Sequence, residues 1–184
     1  MSLATLLALV TFASLVAYAV LAGADFGAGI WDLLSFGKRR TGHREALAHA
    51  IGPVWEANHV WLIFLVVLLF TCFPAAYAQA SVALFWPLHL VLIGIVLRGA
   101  AYVFRAYAAG SDATRDAWGG VFGASSAVTP ILLGTCLGAL STGDPYRWYE
   151  PFPIATGVLA LAICAYLAAV YLAWESHDAQ LRDD

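Results

Sequence analysis

Apolar residues in this chain come in long unbroken runs, and the polar residues collect in short gaps between them. A helix needs about 20 apolar residues to cross a bilayer. Five runs meet that length, over about 3–34, 50–70, 80–104, 118–140 and 152–174. The pattern predicts an all-α, polytopic membrane protein of about five transmembrane helices, a four-helix bundle plus one, in a single domain over 1–184. No Lys or Arg precedes the first run. It is also longer than the ~7–15 apolar residues of a signal peptide, so it reads as a retained span. Its last third, GADFGAGIWDLL, is less apolar than the rest.

The gaps set the orientation. Lys38, Arg39, Arg40 and Arg44 follow the first run, and Arg105 and Arg115 follow the third. The gap around 72–79 has no basic residue, and the gap after the fourth run has only Arg147. Basic loops stay in the cytoplasm, which puts the N-terminus outside and the ESHDAQLRDD tail inside. Tyr146, Trp148 and Tyr149 fall where an outer aromatic belt is expected. Composition agrees. The chain is 62% hydrophobic and 11% charged, against about 45–50% and about 25% in soluble domains. A net charge of -3 and the absence of a basic run argue against nucleic-acid binding. Cys72, Cys136 and Cys164 are too far apart for a zinc or redox motif and read as small apolar residues.

The polar residues inside the runs carry the chemistry. An ionisable group in hydrocarbon costs at least a few kcal/mol and normally faces a protein interior or a wet cavity. The second run opens with IGPVWEANHVWLI, which holds Glu56, Asn58 and His59. Glu56 is expected about 9 Å from the cytoplasmic end of its span. His59, three residues on, shares a face with it. Asn58 points elsewhere and is free to bond a neighbouring helix. Arg98 lies at a similar depth in the third run and needs a carboxylate or carbonyl partner. Asp25 lies in GADFGAG, where Gly23 with Gly27 and Ala24 with Ala28 form small-xxx-small pairs that allow close helix approach. Two readings stay open for Asp25, Glu56 and Arg98: a proton or ion pathway, or hydrogen-bonded ties between helices. Pro53 is expected in the first turn of its span. Pro87 and Pro130 lie within spans and are expected to kink them or free carbonyls. His59 and His89 differ in depth and form a poor haem-ligating pair. His43, His49 and His177 read as loop or interfacial residues. No P-loop, HExxH or catalytic triad is present, so no catalytic residue and no metal ligand is assigned.

Taken in order, GADFGAGIWDLL, the basic GKRRTGHREA loop, IGPVWEANHVWLI and Arg98 resemble subunit II of the cytochrome bd quinol oxidases. The resemblance implies a multi-pass protein of a prokaryotic cytoplasmic membrane. It also implies a partner, subunit I, that carries haems b and d and the quinol site. Such a complex oxidises quinol, reduces dioxygen to water and draws the protons from the cytoplasm. Subunit II is expected to bind no cofactor by itself, although a structural quinone or lipid is compatible with it. The resemblance makes Glu56, Asp25 and His59 the expected proton-pathway groups. Arg98, Asn58 and Trp55 are the expected structural and charge-pairing groups. Family members are longer and have a second helix bundle, so another chain or a second copy of this one is expected in that place. The competing expectation is a small secondary transporter or ion-conducting protein that uses the Asp25, Glu56 and Arg98 network. Such carriers usually show inverted repeats, and none is visible here.

Overall fold

The computed structural model describes residues 1–34, 40–107 and 112–175; within these, the side chains of 40–53, 106–107, 112 and 175 are left aside. Lys38, Arg39 and His177 lie outside the described residues, as do the side chains of Arg40, His43, Arg44, His49 and Pro53.

All regular structure among the described residues is helical: α1 (Leu3–Leu34), α2 (Arg40–Cys72), α3 (Pro74–Ala83), α4 (Phe85–Tyr107), α5 (Asp112–Ser141), a 3-10 turn (Pro145–Arg147) and α6 (Pro151–Glu175). Five stretches are long and apolar enough to cross a membrane: Leu3–Leu34, Val54–Cys72, Phe85–Arg105, Ala113–Ser141 and Pro151–Trp174. They correspond to the five expected runs. The short helices cause no conflict, because a backbone in hydrocarbon must satisfy its own hydrogen bonds, and helices do so locally.

Three boundaries differ from the sequence expectation. The helix of the second span starts at Arg40, so residues 40–46 of the segment expected as a loop are already helical and Pro53 lies inside a helix rather than in its first turn. Residues 40–50, RTGHREALAHA, are rich in good helix formers, and propensity here extends the helix beyond the apolar run. The third span begins at Phe85 rather than 80. Residues 74–83 form a separate helix in the segment expected as a loop. The break falls at Leu84 (φ -101°, ψ 23°). Pro87 explains it, since a proline has no N–H to give and its ring crowds the carbonyl four residues back, here Ala83. Helical bonding resumes on both sides, with Leu84 N–H donating to the Ala80 carbonyl and Leu88 N–H to the Leu84 carbonyl. Lastly, Arg105, expected in a loop, belongs to the last turn of α4, and α5 starts at Asp112, ahead of Trp118. Pro130 is accommodated within α5.

The packing inverts the order of a soluble protein. Phe12, Val60, Ile63, Leu92, Leu159 and Trp174 are exposed, while Ser14, Asp25, Asn58, Arg98, Ser126 and Thr129 are buried. Lipid tails are as apolar as Leu, so helices here gain little by hiding Leu and more by close packing and shared hydrogen bonds. Helices α1, α2, α4 and α5 enclose an interior, with α1 against α2 and α5, and α4 against α5. Stacking of Trp55 on Tyr102 (centroids 6.0 Å apart) joins α2 to α4. The fifth span, α6, packs from outside against α1 and α5, giving the four-helix bundle plus one.

Small residues make the α1–α6 contact. A Cβ on Gly27 would run into the Cys164 carbonyl and Ala168, so only glycine lets the two backbones meet there. Trp31 Nε1 then donates to the Ala165 carbonyl at 2.9 Å. We predict that Gly27→Ala destabilises the protein by about 1–3 kcal/mol through overpacking. By contrast, Gly120→Ala, where a Cβ meets nothing within 4 Å, is neutral or stabilising by up to about 1 kcal/mol. Thermal unfolding of the two variants in detergent checks this.

Candidate functional site

The face of α2 that turns inward is a stripe of Trp55, Asn58, His59 and Leu62, at the i, i+3, i+4, i+7 spacing of one helical face. Asn58 is 2% exposed. Glu56 is two positions from it, about 200° around the helix, and is exposed on the outer side of α2. His59 lies between these two directions and is half-buried.

Asp25, on α1, has no exposure, and Arg98, on α4, is 3% exposed. The two form a bidentate ion pair. Arg98 Nη2 donates to Asp25 Oδ1 at 2.6 Å and Nη1 donates to Oδ2 at 2.8 Å. Nη2 also reaches the Asp25 main-chain carbonyl at 2.9 Å. Arg98 Nε donates to Ser126 Oγ at 2.9 Å, and Ser126 Oγ in turn donates to the Phe122 carbonyl at 2.6 Å. Asn58 Nδ2 donates to Asp25 Oδ2 at 3.1 Å, which brings α2 into the same cluster. The guanidinium carbon lies 5.0 Å from the centre of the Phe26 ring and 4.9 Å from that of Phe122. A charge out of water is tolerable only when paired, hydrogen-bonded and well packed, and α1, α2 and α5 together meet these conditions for Arg98 and Asp25. Gly29 makes this possible on α1, because a Cβ there would collide with the Ser126 hydroxyl.

A second ion pair repeats the first. Arg105 Nη1 donates to Asp32 Oδ2 at 2.6 Å. Asp32 is 2% exposed. Asp25 and Asp32 are seven residues apart, as are Arg98 and Arg105. Seven residues are about two helical turns, about 10 Å. The first and third spans run the same way through the membrane, so the shared spacing produces two parallel rungs. Phe122 lies between them, 4.9 Å from Arg98 and 5.8 Å from Arg105.

A small cavity of about 10 Å³ adjoins the first rung, lined by Tyr18, Phe26, Asn58, His59, Leu62, Ile95 and Arg98. His59 Nδ1 is 2.8 Å from the Trp55 carbonyl. His89 is exposed, with its ring 4.0 Å from that of Phe85 and Nδ1 2.7 Å from the Phe85 carbonyl. One histidine lines the interior and the other faces outward, so the two do not fit a haem held between facing imidazoles.

The structure therefore joins Asp25, Arg98 and Asn58, places His59 and Trp55 beside them, and leaves Glu56 on the opposite face of α2. Sequence reasoning missed Asp32, Arg105, Ser126 and Phe122. The matched seven-residue spacings of Asp25/Asp32 and Arg98/Arg105 are visible in the sequence, and they become meaningful once Arg105 is counted as helical.

This fold and site define a multi-pass α-helical membrane protein held together by intramembrane ion pairs. The chain belongs to the family described as cytochrome bd terminal oxidase subunit II, whose model matches residues 3–184, and it is a protein of the prokaryotic cytoplasmic membrane. It is similar to cytochrome bd-I ubiquinol oxidase subunit 2 of Escherichia coli (strain K12), with 29% identity over 174 residues, 86% of this chain and 45% of that one. It is also similar to cytochrome bd ubiquinol oxidase subunit 2 of Bacillus subtilis (strain 168), with 32% identity over 134 residues, 71% of this chain and 38% of that one. The chain thus spans about half the length, or less, of the curated relatives it matches. Its fold is that of a chain in the solved bd oxidase from Geobacillus thermodenitrificans, with a TM-score of 0.84 and 23% identity over all of this chain and 59% of that one.

Replacing one partner of a buried pair strands the other charge, at about 3–5 kcal/mol. We predict that Arg98→Ala sharply lowers thermal stability and yield, and that Arg98→Lys does not rescue them, because an ammonium lacks the planar fork that meets both Asp25 oxygens. Thermal unfolding and size-exclusion yield of the two variants check this.

Proposed function

We propose that this chain serves in a quinol:dioxygen oxidoreductase as the subunit that binds no haem, beside a haem-bearing subunit I, and that it helps deliver cytoplasmic protons to the site of oxygen reduction. Support comes from the family, from the five spans and from the placement of Glu56. That carboxylate stands on the outer face of a membrane helix, and no described residue pairs with it. A carboxylate at a membrane-embedded surface is costly, so a neighbouring subunit or a water-filled cleft at their boundary is its natural setting. A group in that setting is free to take and release a proton.

The residues divide into two roles. Asp25 accepts four hydrogen bonds to its carboxylate and main-chain oxygens from Arg98 and Asn58. The partners come from two other helices, α4 and α2. Asp25 therefore acts as a structural tie that positions α1, α2, α4 and α5, with Arg98 and Asn58 as its partners and Trp55 as packing against α4. Glu56 and His59 handle protons. Glu56 sits at the boundary, and His59 connects that boundary to the interior. The haems b and d reside in subunit I.

Glu56→Gln in the assembled complex is expected to leave assembly and haem content intact and to slow oxygen consumption by about a hundredfold, the low end of what a positioned proton-transfer group contributes. Oxygen-electrode rates alongside visible spectra check this. Loss of the haem bands would instead make Glu56 a structural residue. A chain that purified alone and exchanged ions across vesicles would contradict the oxidase reading as a whole.

A further inference from the structure

Tyr18 is 6% exposed and Asn58 2%. Tyr18 Oη and Asn58 Oδ1 are both enclosed and have no hydrogen-bond partner among the described residues. Buried polar atoms are nearly always satisfied, by protein or by ordered water. Both residues line the cavity of about 10 Å³ between α1, α2 and α4, a volume close to that of one water probe.

The chemistry of the lining is fixed by its neighbours. Asp25 Oδ2 is a carboxylate oxygen and only accepts, so the Asn58 amide must turn its NH₂ toward Asp25. This leaves Asn58 Oδ1 as an acceptor. The Trp55 carbonyl also only accepts, so Nδ1 of His59 donates to it, and Nε2 is the ring nitrogen left to accept when the ring carries one proton. Tyr18 offers one O–H donor. Two acceptors and one donor around a water-sized space match a water molecule, which gives two hydrogen bonds and receives one or two. They do not match a cation, which would need acceptors only and would sit beside the Arg98 guanidinium.

We propose that this cavity is a specific one-water site, in which the water accepts from Tyr18 Oη and donates to Asn58 Oδ1 and His59 Nε2. The water satisfies both unpartnered atoms, ties α1 to α2 above the Asp25–Arg98 rung, and gives His59 a hydrogen-bonded connection to Tyr18 on α1. The hydration site stands on the geometry alone. Its use in proton transfer rests on the reading of Glu56 and His59 given above.

The test is a cryo-EM map of the assembled complex at a resolution that shows interior waters, for the wild type and for Tyr18→Phe, which keeps the ring and removes the hydroxyl. A single peak is expected at about 2.5–3.0 Å from Tyr18 Oη and Asn58 Oδ1, and it is expected to vanish in Tyr18→Phe while the Arg98–Asp25 pair stays in place. No peak at this place in a wild-type map that resolves other interior waters overturns the site. So does a direct Tyr18–Asn58 hydrogen bond, or a peak unchanged in Tyr18→Phe. If that variant does not assemble, the wild-type map decides. A peak that behaves as expected, together with wild-type oxygen consumption in Glu56→Gln, upholds the water site and overturns the proton-delivery reading instead.

Discussion

A carboxylate and a guanidinium buried in a membrane protein impose conditions on everything around them. Asp25 and Arg98 are both nearly inaccessible, and neither charge survives there unless the other is present and the remaining donors and acceptors are occupied. The conditions are met across the bundle: Asn58 of α2 on the carboxylate, Ser126 of α5 on the guanidinium, and the Phe26 and Phe122 rings packed close to it. Four helices are thereby locked in one register. The apolar surface between them would not achieve this, because lipid competes equally well for it.

The second pair, Asp32 with Arg105, shows that the lock has a direction. Both acids lie on α1 and both arginines on α4, with the same spacing on each. A shift of α4 along α1 by one turn would misalign both pairs at once. Phe122, between the two guanidiniums, holds α5 in the same alignment. The glycines complete the arrangement by letting α1 approach α5 at Gly29 and α6 at Gly27 closely enough for side-chain and backbone contacts to form.

Within this rigid frame, the polar residues of α2 divide by direction. Asn58 belongs to the frame, Glu56 faces away from it, and His59 stands between. In a membrane-embedded subunit this division has a functional logic. A group that fixes helices must keep its charge, whereas a group that passes protons must be able to change it. Under the proposed roles, one helix turn carries both kinds of group on different faces.

The sequence by itself determined the class of the protein and the position of its spans, because apolar runs of bilayer length admit few other structures. It also marked Asp25, Glu56, Asn58, His59 and Arg98, because polar groups in such runs are costly enough to require a purpose. Helix ends were less legible. The residues after Arg40 and before Trp118 continue helices beyond the apolar runs that hydropathy registers, and the Pro87 break is local stereochemistry at a place where the apolar run continues. Only the tertiary structure decided the pairing: that Arg98 meets Asp25 and not Glu56, that Arg105 meets Asp32, and that Asn58 joins them. A helix presents residues two positions apart to nearly opposite sides, and which side faces the interior depends on neighbours that a single run of sequence does not contain.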